Sequence, residues 1–146
     1  MKNANVGYTY ENIVTLKRPD NVGVNDWENL QQKLVQQTSI ESTGLAVFPS
    51  IGEYNFVGLK NTETQEKNRL YWIGIDYSYL PTMEIKMISG RNFDSKLKSD
   101  ERAIIINEKA LALIGGEKIL DNEFNFRKKS FKIIGVVRDF NYRSLK

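Results

Sequence analysis

Four carboxylates next to the ends of predicted elements are the side chains of this sequence best suited to chemistry. They are Asp76, Asp94, Glu108 and Asp139. Two carboxyl groups held a few ångströms apart can support glycoside hydrolysis. A structural role is favoured, because Asp76 and Glu108 fall in predicted first turns, where helix dipoles stabilise negative charge. We therefore expect no catalytic residue, and a carboxylate-based hydrolase is the weaker hypothesis.

The chain contains neither histidine nor cysteine. It therefore lacks the commonest general base, the commonest metal ligand, thiolate nucleophiles and disulfides. Its acidic residues do not form the alternating D-x-D-x-D-G loop that is typical of a calcium site. We expect a protein that is not an enzyme and that holds no metal and no cofactor.

Phosphate and nucleic-acid binding are also disfavoured. The pair Gly115-Gly116 follows a predicted helix, whereas a phosphate-binding glycine loop opens one. Lys and Arg total 21 against 18 for Asp and Glu, and the densest basic cluster, residues 127–129, lies at a predicted hairpin tip. No apolar run approaches the roughly 20 residues that cross a bilayer. We expect no nucleic-acid partner.

The elements that must position these residues are short and mixed. At 146 residues and 40% hydrophobic content, the chain can form one core or two small lobes. Periodicity and turn residues predict strands over 11–17, 40–48, 70–75, 84–88, 102–106, 123–126 and 130–137, and a strand or an irregular edge over 50–59. They predict helices opening at Asn25 as cap, over 77–80 before Pro81, and over 108–114. This pattern indicates the α+β class.

The C-terminal third carries the strongest local signals. The run Ile104-Ile105-Ile106 is typical of a strand buried on both faces, with Asn107 as the cap of the following helix and Gly115 as its left-handed stop. The run from Phe131 to Phe140 predicts a strand whose backbone bends, or is closely approached, at Gly135. The sequence turns polar directly after this strand, so we expect a piece of a larger protein.

Several blocks of the sequence, in this order, resemble the extracytoplasmic part of MacB/FtsX-type ABC transporter permeases. They are Gly7-Tyr8-x-Tyr10-Glu11-Asn12-Ile13-Val14, Asp76-Tyr77-x-Tyr79-Leu80, Ile85-x-Met87-Ile88-Ser89-Gly90-Arg91-Asn92-Phe93, Ile104-Ile105-Ile106-Asn107-Glu108-Lys109-Ala110 and Ile133-Ile134-Gly135-Val136-Val137-Arg138-Asp139-Phe140. Each block is weak alone, but the ordered set spans nearly the whole chain.

The resemblance implies a non-enzymatic, periplasmic or extracytoplasmic domain of a cytoplasmic-membrane protein. It implies partners: the parent's own transmembrane helices, a cytoplasmic ATPase that drives the domain mechanically, a periplasmic or outer-membrane protein, and a dimeric parent. Family members export substrates, release lipoproteins or regulate cell-wall hydrolases. The alternative is a free-standing extracytoplasmic module that binds a ligand or peptide.

The resemblance also implies two lobes. Residues 1–49 would form the first half of a strand–helix–strand base lobe, and residues 50–146 an inserted strand-rich lobe with one or two short helices, with the base lobe's return limb missing. The matching motif residues, all expected to be structural, are Gly90, Arg91, Phe93, Asn107, Glu108, Gly135, Asp139 and Phe140. Among them, Gly90 allows a tight turn, Arg91 pairs with a neighbouring carboxylate, and Phe93 covers the core.

Overall fold

The computed structural model describes residues 12–17, 19, 21–47, 56–60, 67–115, 119–126 and 129–140. Within these residues the chain forms three α-helices, eight strands and one 3₁₀ turn. In chain order they are α1 (Val24–Leu34), β1 (Ala46–Val47), β2 (Phe56–Lys60), β3 (Lys67–Tyr71), β4 (Gly74–Ile75), α2 (Tyr79–Thr82), β5 (Met87–Gly90), the 3₁₀ turn (Lys98–Arg102), β6 (Ala103–Asn107), α3 (Glu108–Ile114), β7 (Glu123–Phe126) and β8 (Lys129–Val137). The predicted α+β class is confirmed.

The main sheet is built around β8. Its strand order is β5-β8-β6, and β7 also pairs with β8. β6 runs parallel to β8, whereas β5 and β7 are antiparallel and share the opposite side of β8. β7 pairs with residues 129–132 and β5 with residues 135–137. Neighbours therefore flank both of its sides, and the last five residues of β8 are buried.

A bulge in β8 decides which of its side chains share a face. Ile134 has no partner in β6, because the register passes from Ile133 directly to Gly135. One extra residue reverses the in–out alternation of a strand. Ile133 and Val136, three positions apart, therefore pack into the same hydrophobic cluster. The prediction that the backbone bends or is closely approached at Gly135 is confirmed.

Two hydrophobic clusters cover the two faces of this sheet. The buried residues of the first, called the α3-side cluster, are Ile106, Ala110, Ile119, Ile133 and Val136. Those of the second, called the α2-side cluster, are Tyr79, Leu80, Ile85 and Val137. Along β6, Ile104 and Ile106 belong with the α3-side cluster, whereas Ile105 packs against the α2-side cluster. The predicted two-sided burial of this strand is confirmed.

Residues 12–47 differ from prediction at three places. The described residues 12–17 form no strand, and Val14 and Leu16 are 82% and 56% exposed, so no neighbouring sheet or core covers them. α1 begins at Val24 with Gly23 as its N-cap, so Asn25 is a helical residue and not the cap. The extended backbone of Gly23 already supplies the entry geometry that an N-cap needs. Of residues 40–47, only β1 is a strand.

The apolar run over 70–75 forms two strands instead of the single predicted one. β3 pairs with β2, and β4 pairs with β1. The break lies at Trp72 and Ile73, where the chain leaves one two-stranded sheet for another. An unbroken apolar run carries no sign of such a change of partner, because both strands need apolar residues.

α2 and β5 are shifted toward the C-terminus relative to prediction. The N-cap of α2 is Ser78, so Asp76 lies before the helix and not in its first turn. Pro81 lies within this single turn, where its missing N–H has no intrahelical partner to lose. Glu84, predicted to open the next strand, takes a left-handed φ of 52° and ends the turn instead. β5 therefore starts only at Met87.

Of the remaining predictions, those of α3 and of the β7–β8 hairpin are confirmed. α3 spans the predicted residues and stops at Gly115, whose φ is 78°. The β7–β8 hairpin forms, but residues 127–128 of its predicted basic tip lie outside the described residues, as do residues 7–11 of the first resemblance block. The division into lobes at residue 49 stays a prediction. β1 and β4, which lie on either side of that boundary in the sequence, pair with each other.

Candidate functional site

The chain leaves the main sheet where β6 and β8 end side by side. Asn107 closes β6 and is paired in register with Val137, the last residue of β8. From Asn107 the chain enters α3 directly, and the Asn107 side chain accepts a hydrogen bond of 3.0 Å from the backbone N–H of Ala110. This is the N-cap bond that the sequence predicts, and it fixes the first turn of α3.

Two carboxylates join these chain segments in both directions. The N–H of Asp139 donates to Glu108 Oε2 at 3.0 Å, and the N–H of Lys109 donates to Asp139 Oδ1 at 3.0 Å. We call this pair of bonds the exit clasp. It places two negative charges at the N-terminal turn of α3, where the helix dipole stabilises them. It also satisfies one of the helix N–H groups that has no intrahelical partner.

Phe140 holds the same segment from another side. Its half-buried ring packs against the α2-side cluster, one residue after the exit clasp. Consecutive residues are therefore fastened to α3 and to a hydrophobic core.

A second polar cluster organises the loop between β5 and the 3₁₀ turn. Both terminal nitrogens of Arg91 bond the carboxylate of Asp100, Nη1 to Oδ2 at 2.6 Å and Nη2 to Oδ1 at 2.7 Å. The N–H of Asp94 donates to Asp100 Oδ2 at 2.9 Å. We call this set the arginine clamp. The Arg91 hydrogen bonds lower the pKa of Asp100 from 3.8 to about 2, although burial of the carboxylate opposes the shift.

Two motif glycines allow the backbones of β5 and β8 to approach each other closely beside the arginine clamp. A Cβ on Gly90, whose φ is 73°, would lie 2.2 Å from the carbonyl oxygen of Ile134. A Cβ on Gly135 would lie 2.6 Å from the carbonyl oxygen of Arg91. The Arg91 N–H bonds the Ile134 carbonyl at 3.0 Å, so the β5 segment seats on the β8 bulge. Only glycine allows this mutual approach.

The four candidate carboxylates do not converge on one centre. The structure brings Glu108 and Asp139 together, but their hydrogen-bonded oxygens accept from backbone amides. Asp94 belongs to the arginine clamp. Asp76 accepts from the Ser78 N–H and from the Gln31 side chain, which ties α1 to the start of α2. In the described ranges, no group of three or more acidic residues is placed to hold a metal ion.

Sequence reasoning missed Asp100, although it expected a carboxylate partner for Arg91. The partner lies nine residues away across an irregular loop, and no spacing rule links such positions. Gln31 was missed for the same reason, since it bonds Asp76 at a separation of 45 residues. Phe93 is half-buried, and its predicted role over the core stays a prediction.

Comparison with known proteins identifies the fold. No family model and no curated protein matches the sequence. The solved periplasmic region of MacB from Actinobacillus actinomycetemcomitans superposes with a TM-score of 0.51 over 77% of this chain and 50% of that chain, at 22% identity. The extracellular domain of the noncanonic ABC-type transporter YknZ from Gram-positive bacteria superposes with a TM-score of 0.54 over 77% of this chain and 57% of that chain, at 18% identity.

The chain thus spans roughly half the length of each of these solved domains. At these identities the likeness concerns the fold. Among the described residues, no helix is long and apolar enough to cross a membrane. The chain has the fold of a MacB-like periplasmic domain.

Proposed function

We propose that this chain is an extracytoplasmic domain of a MacB/FtsX-type ABC transporter permease. The observation that carries the proposal is the fold shared with the MacB and YknZ domains over 77% of the chain. The ordered sequence blocks support the same family independently of the superposition. In this proposal the domain is held at the outer side of the cytoplasmic membrane by the parent's transmembrane helices, and the parent is a dimer.

The proposed role is mechanical and not catalytic. A cytoplasmic ATPase would move the membrane helices, and the domain would carry that movement to cargo or to a partner in the envelope. Export, lipoprotein release and regulation of envelope enzymes all need such transmission. The exit clasp and Phe140 support the proposal, because they fasten the last described residues to α3 and to the α2-side cluster. A force applied to the chain after residue 140 would therefore be transmitted to the main sheet through these contacts.

The absence of cysteine from the 146 residues allows a direct test of location. Lys96 lies exposed in the loop of the arginine clamp, and Lys96→Cys would place one thiol there in the product of the parent gene. We expect a membrane-impermeant maleimide to label this thiol in intact cells, and the labelled protein to stay with the membrane after alkaline washing. Ile133→Cys, at a position 1% exposed, is the matched control and should label only after unfolding.

The outcomes separate the rival hypotheses. Labelling before lysis with release of the protein by osmotic shock would favour the free-standing ligand- or peptide-binding module. Labelling only after lysis would contradict both readings. For the mechanical role, Asp139→Ala in the parent should reduce transport or partner activation while its ATPase activity persists. Equal loss of both activities would instead indicate a folding defect.

A further inference from the structure

α1 is attached to the rest of the described chain differently from α2 and α3. Among residues 26–34, the half-buried positions are Trp27, Leu30, Gln31 and Leu34, which recur at helical spacing and define one docked face. α2 and α3 each contribute buried residues to one of the two hydrophobic clusters. In the described ranges, no residue of α1 belongs to either cluster. α1 therefore lies outside the two cores.

One polar side chain lies within the docked face of α1. Gln31 Nε2 donates a hydrogen bond of 3.2 Å to Asp76 Oδ2, and both residues are half-buried. The other oxygen of this carboxylate accepts from the Ser78 N–H at 3.2 Å, which fixes its position. Leaving a partly buried amide or carboxylate without a partner costs free energy. The bond therefore favours a single docked position for the helix.

Asp76 holds the chain at two points, and the two attachments differ in kind. Its N–H donates to the Leu45 carbonyl at 3.1 Å, beside the pairing of β1 with β4. Backbones are closely packed there, since a Cβ on Gly44 would lie 2.7 Å from the Cα of the buried Tyr79. At the other point, the contact is the side-chain bond from Gln31. The Leu45 end is therefore fixed, and the Gln31 end is the one that can release.

We propose that α1 detaches as a unit while the main sheet stays folded, and that the Gln31–Asp76 bond sets how often it does so. We call this bond the α1 latch. The chain between Gln31 and Leu45 is the tether about which the helix moves. Regions with few buried apolar contacts open at a lower free energy than global unfolding. The detached helix also frays, because a helix of 11 residues is marginal in isolation.

A mechanical domain needs an element that moves against a rigid one. The use of the α1 latch in transport rests on the proposed function, whereas the latch itself is a property of this chain. Its test uses the purified chain and no transport measurement. Labelling in cells can therefore fail while the latch holds, and the reverse.

Native-state hydrogen exchange tests the detachment. Ile133→Val weakens the main sheet at a residue that is 1% exposed. We expect the amides of residues 133–137 in β8 to exchange about fivefold faster in this variant, because they exchange through global unfolding. The amides of residues 28–34 in α1 should keep their rates, because the main sheet stays folded when α1 opens.

Two substitutions in the same helix test the latch. Gln31→Ala removes the donor to Asp76, and we expect the α1 amides to exchange about tenfold faster. Gln32→Ala is the matched control, because it makes the same change at an exposed neighbour and alters helix propensity equally. It should leave α1 exchange within about twofold of the unchanged chain.

Exchanging donor and acceptor identifies the partner of Gln31. Gln31→Glu alone sets two carboxylates against each other and should speed α1 exchange at least as much as Gln31→Ala. Adding Asp76→Asn supplies an amide that donates to the new carboxylate, while its oxygen still accepts from the Ser78 N–H. The variant with both changes should return α1 exchange to within about threefold of the unchanged chain.

Each contrary result overturns the proposal. Equal acceleration of the α1 and β8 amides by Ile133→Val would mean that α1 opens only when the whole chain unfolds. Amides of α1 that exchange as fast as those of an unfolded peptide would mean that α1 is not docked. Equal effects of Gln31→Ala and Gln32→Ala, or no recovery when donor and acceptor are exchanged, would mean that another contact holds the helix.

Discussion

Glu108 and Asp139 each accept a hydrogen bond of 3.0 Å from a backbone N–H of the other's segment. They lie 31 positions apart in the sequence, and the parallel pairing of β6 with β8 brings them together. A capping box makes the same exchange within a single helix start. Here the exchange joins a helix start to the exit of a separate strand, so it couples the first turn of α3 to the chain that leaves β8.

The exit clasp should therefore behave as a coupled unit. Asp139→Ala and Glu108→Ala should each lower the free energy of unfolding by about 1 kcal/mol, because each leaves a backbone N–H without its acceptor. The double variant should lose about 0.5 kcal/mol less than the sum, since either change alone frees the other half. Urea unfolding followed by tryptophan fluorescence measures all three.

Lys109→Ala is the matched control for the clasp, because the clasp uses the Lys109 amide and not its side chain. It should leave stability nearly unchanged. Strictly additive losses from the two carboxylate variants would show that the two bonds act independently.

The arginine clamp should make stability depend on acid pH. The Asp100 pKa is about 2 in the folded chain and near 3.8 when unfolded, so the folded state favours the ionised carboxylate. This contribution is present above the unfolded pKa and is lost as pH falls through the folded value. Asp100→Asn should be less stable than the unchanged chain at pH 7. The difference in free energy of unfolding should disappear between about pH 4 and pH 2.

Denaturant titrations across that pH range give the difference directly, and the carboxyl chemical shift of Asp100 gives its pKa. Glu101→Gln, at the exposed neighbouring residue, is the control. A stability difference that persists unchanged at pH 2 would mean that the Arg91–Asp100 pair is not its source.

The parts of the fold that follow local rules could be predicted from sequence. α3, with Asn107 as its cap and Gly115 as its stop, needs only residues close in the chain. The two-sided burial of Ile104 to Ile106 follows from an unbroken apolar run. Such features need no knowledge of what packs against them.

The parts that depend on distant partners could not be predicted. Residues 12–17 have the composition of a strand, yet no described strand pairs with them. The break between β3 and β4 arises because the two strands pair with different neighbours. The exit clasp likewise depends on the register of β6 against β8, which no spacing rule supplies. Motif similarity pointed to Glu108 and Asp139, but only the fold showed that they bond each other's segments.

Gly90 should be irreplaceable by alanine. Its φ of 73° disfavours any side chain, and its Cβ would lie 2.2 Å from the Ile134 carbonyl oxygen and 2.8 Å from the Gly135 Cα. The neighbours are backbone atoms of the central strand, so they cannot move aside cheaply. We expect Gly90→Ala to cost at least about 3 kcal/mol in thermal or urea unfolding.

Gly58 provides the comparison for Gly90, because a Cβ there would meet nothing within 4 Å and its φ is not in the left-handed region. Gly58→Ala should be neutral, or stabilising by about 0.5 kcal/mol, since it restricts the unfolded chain. Equal effects at the two glycines would show that the close approach of β5 to β8 is not what requires Gly90.

At position 84 the backbone conformation of the folded chain should favour glycine over a residue that has a Cβ, because its φ of 52° is left-handed. It is the left-handed residue of a Schellman stop, in which the Glu84 N–H bonds the Pro81 carbonyl at 3.0 Å and the Ile85 N–H bonds the Leu80 carbonyl at 2.9 Å. Leu80 and Ile85 also pack together in the α2-side cluster, which is the hydrophobic contact typical of this motif. Glu84→Gly and Glu84→Ala both remove the carboxylate and its contacts, so comparing them isolates the effect of a Cβ on the left-handed backbone. Alanine, unlike glycine, is strained in the left-handed conformation. We therefore expect Glu84→Gly to be more stable than Glu84→Ala by about 1 kcal/mol in urea unfolding. An alanine variant as stable as the glycine variant would mean that α2 does not end through a left-handed residue in solution.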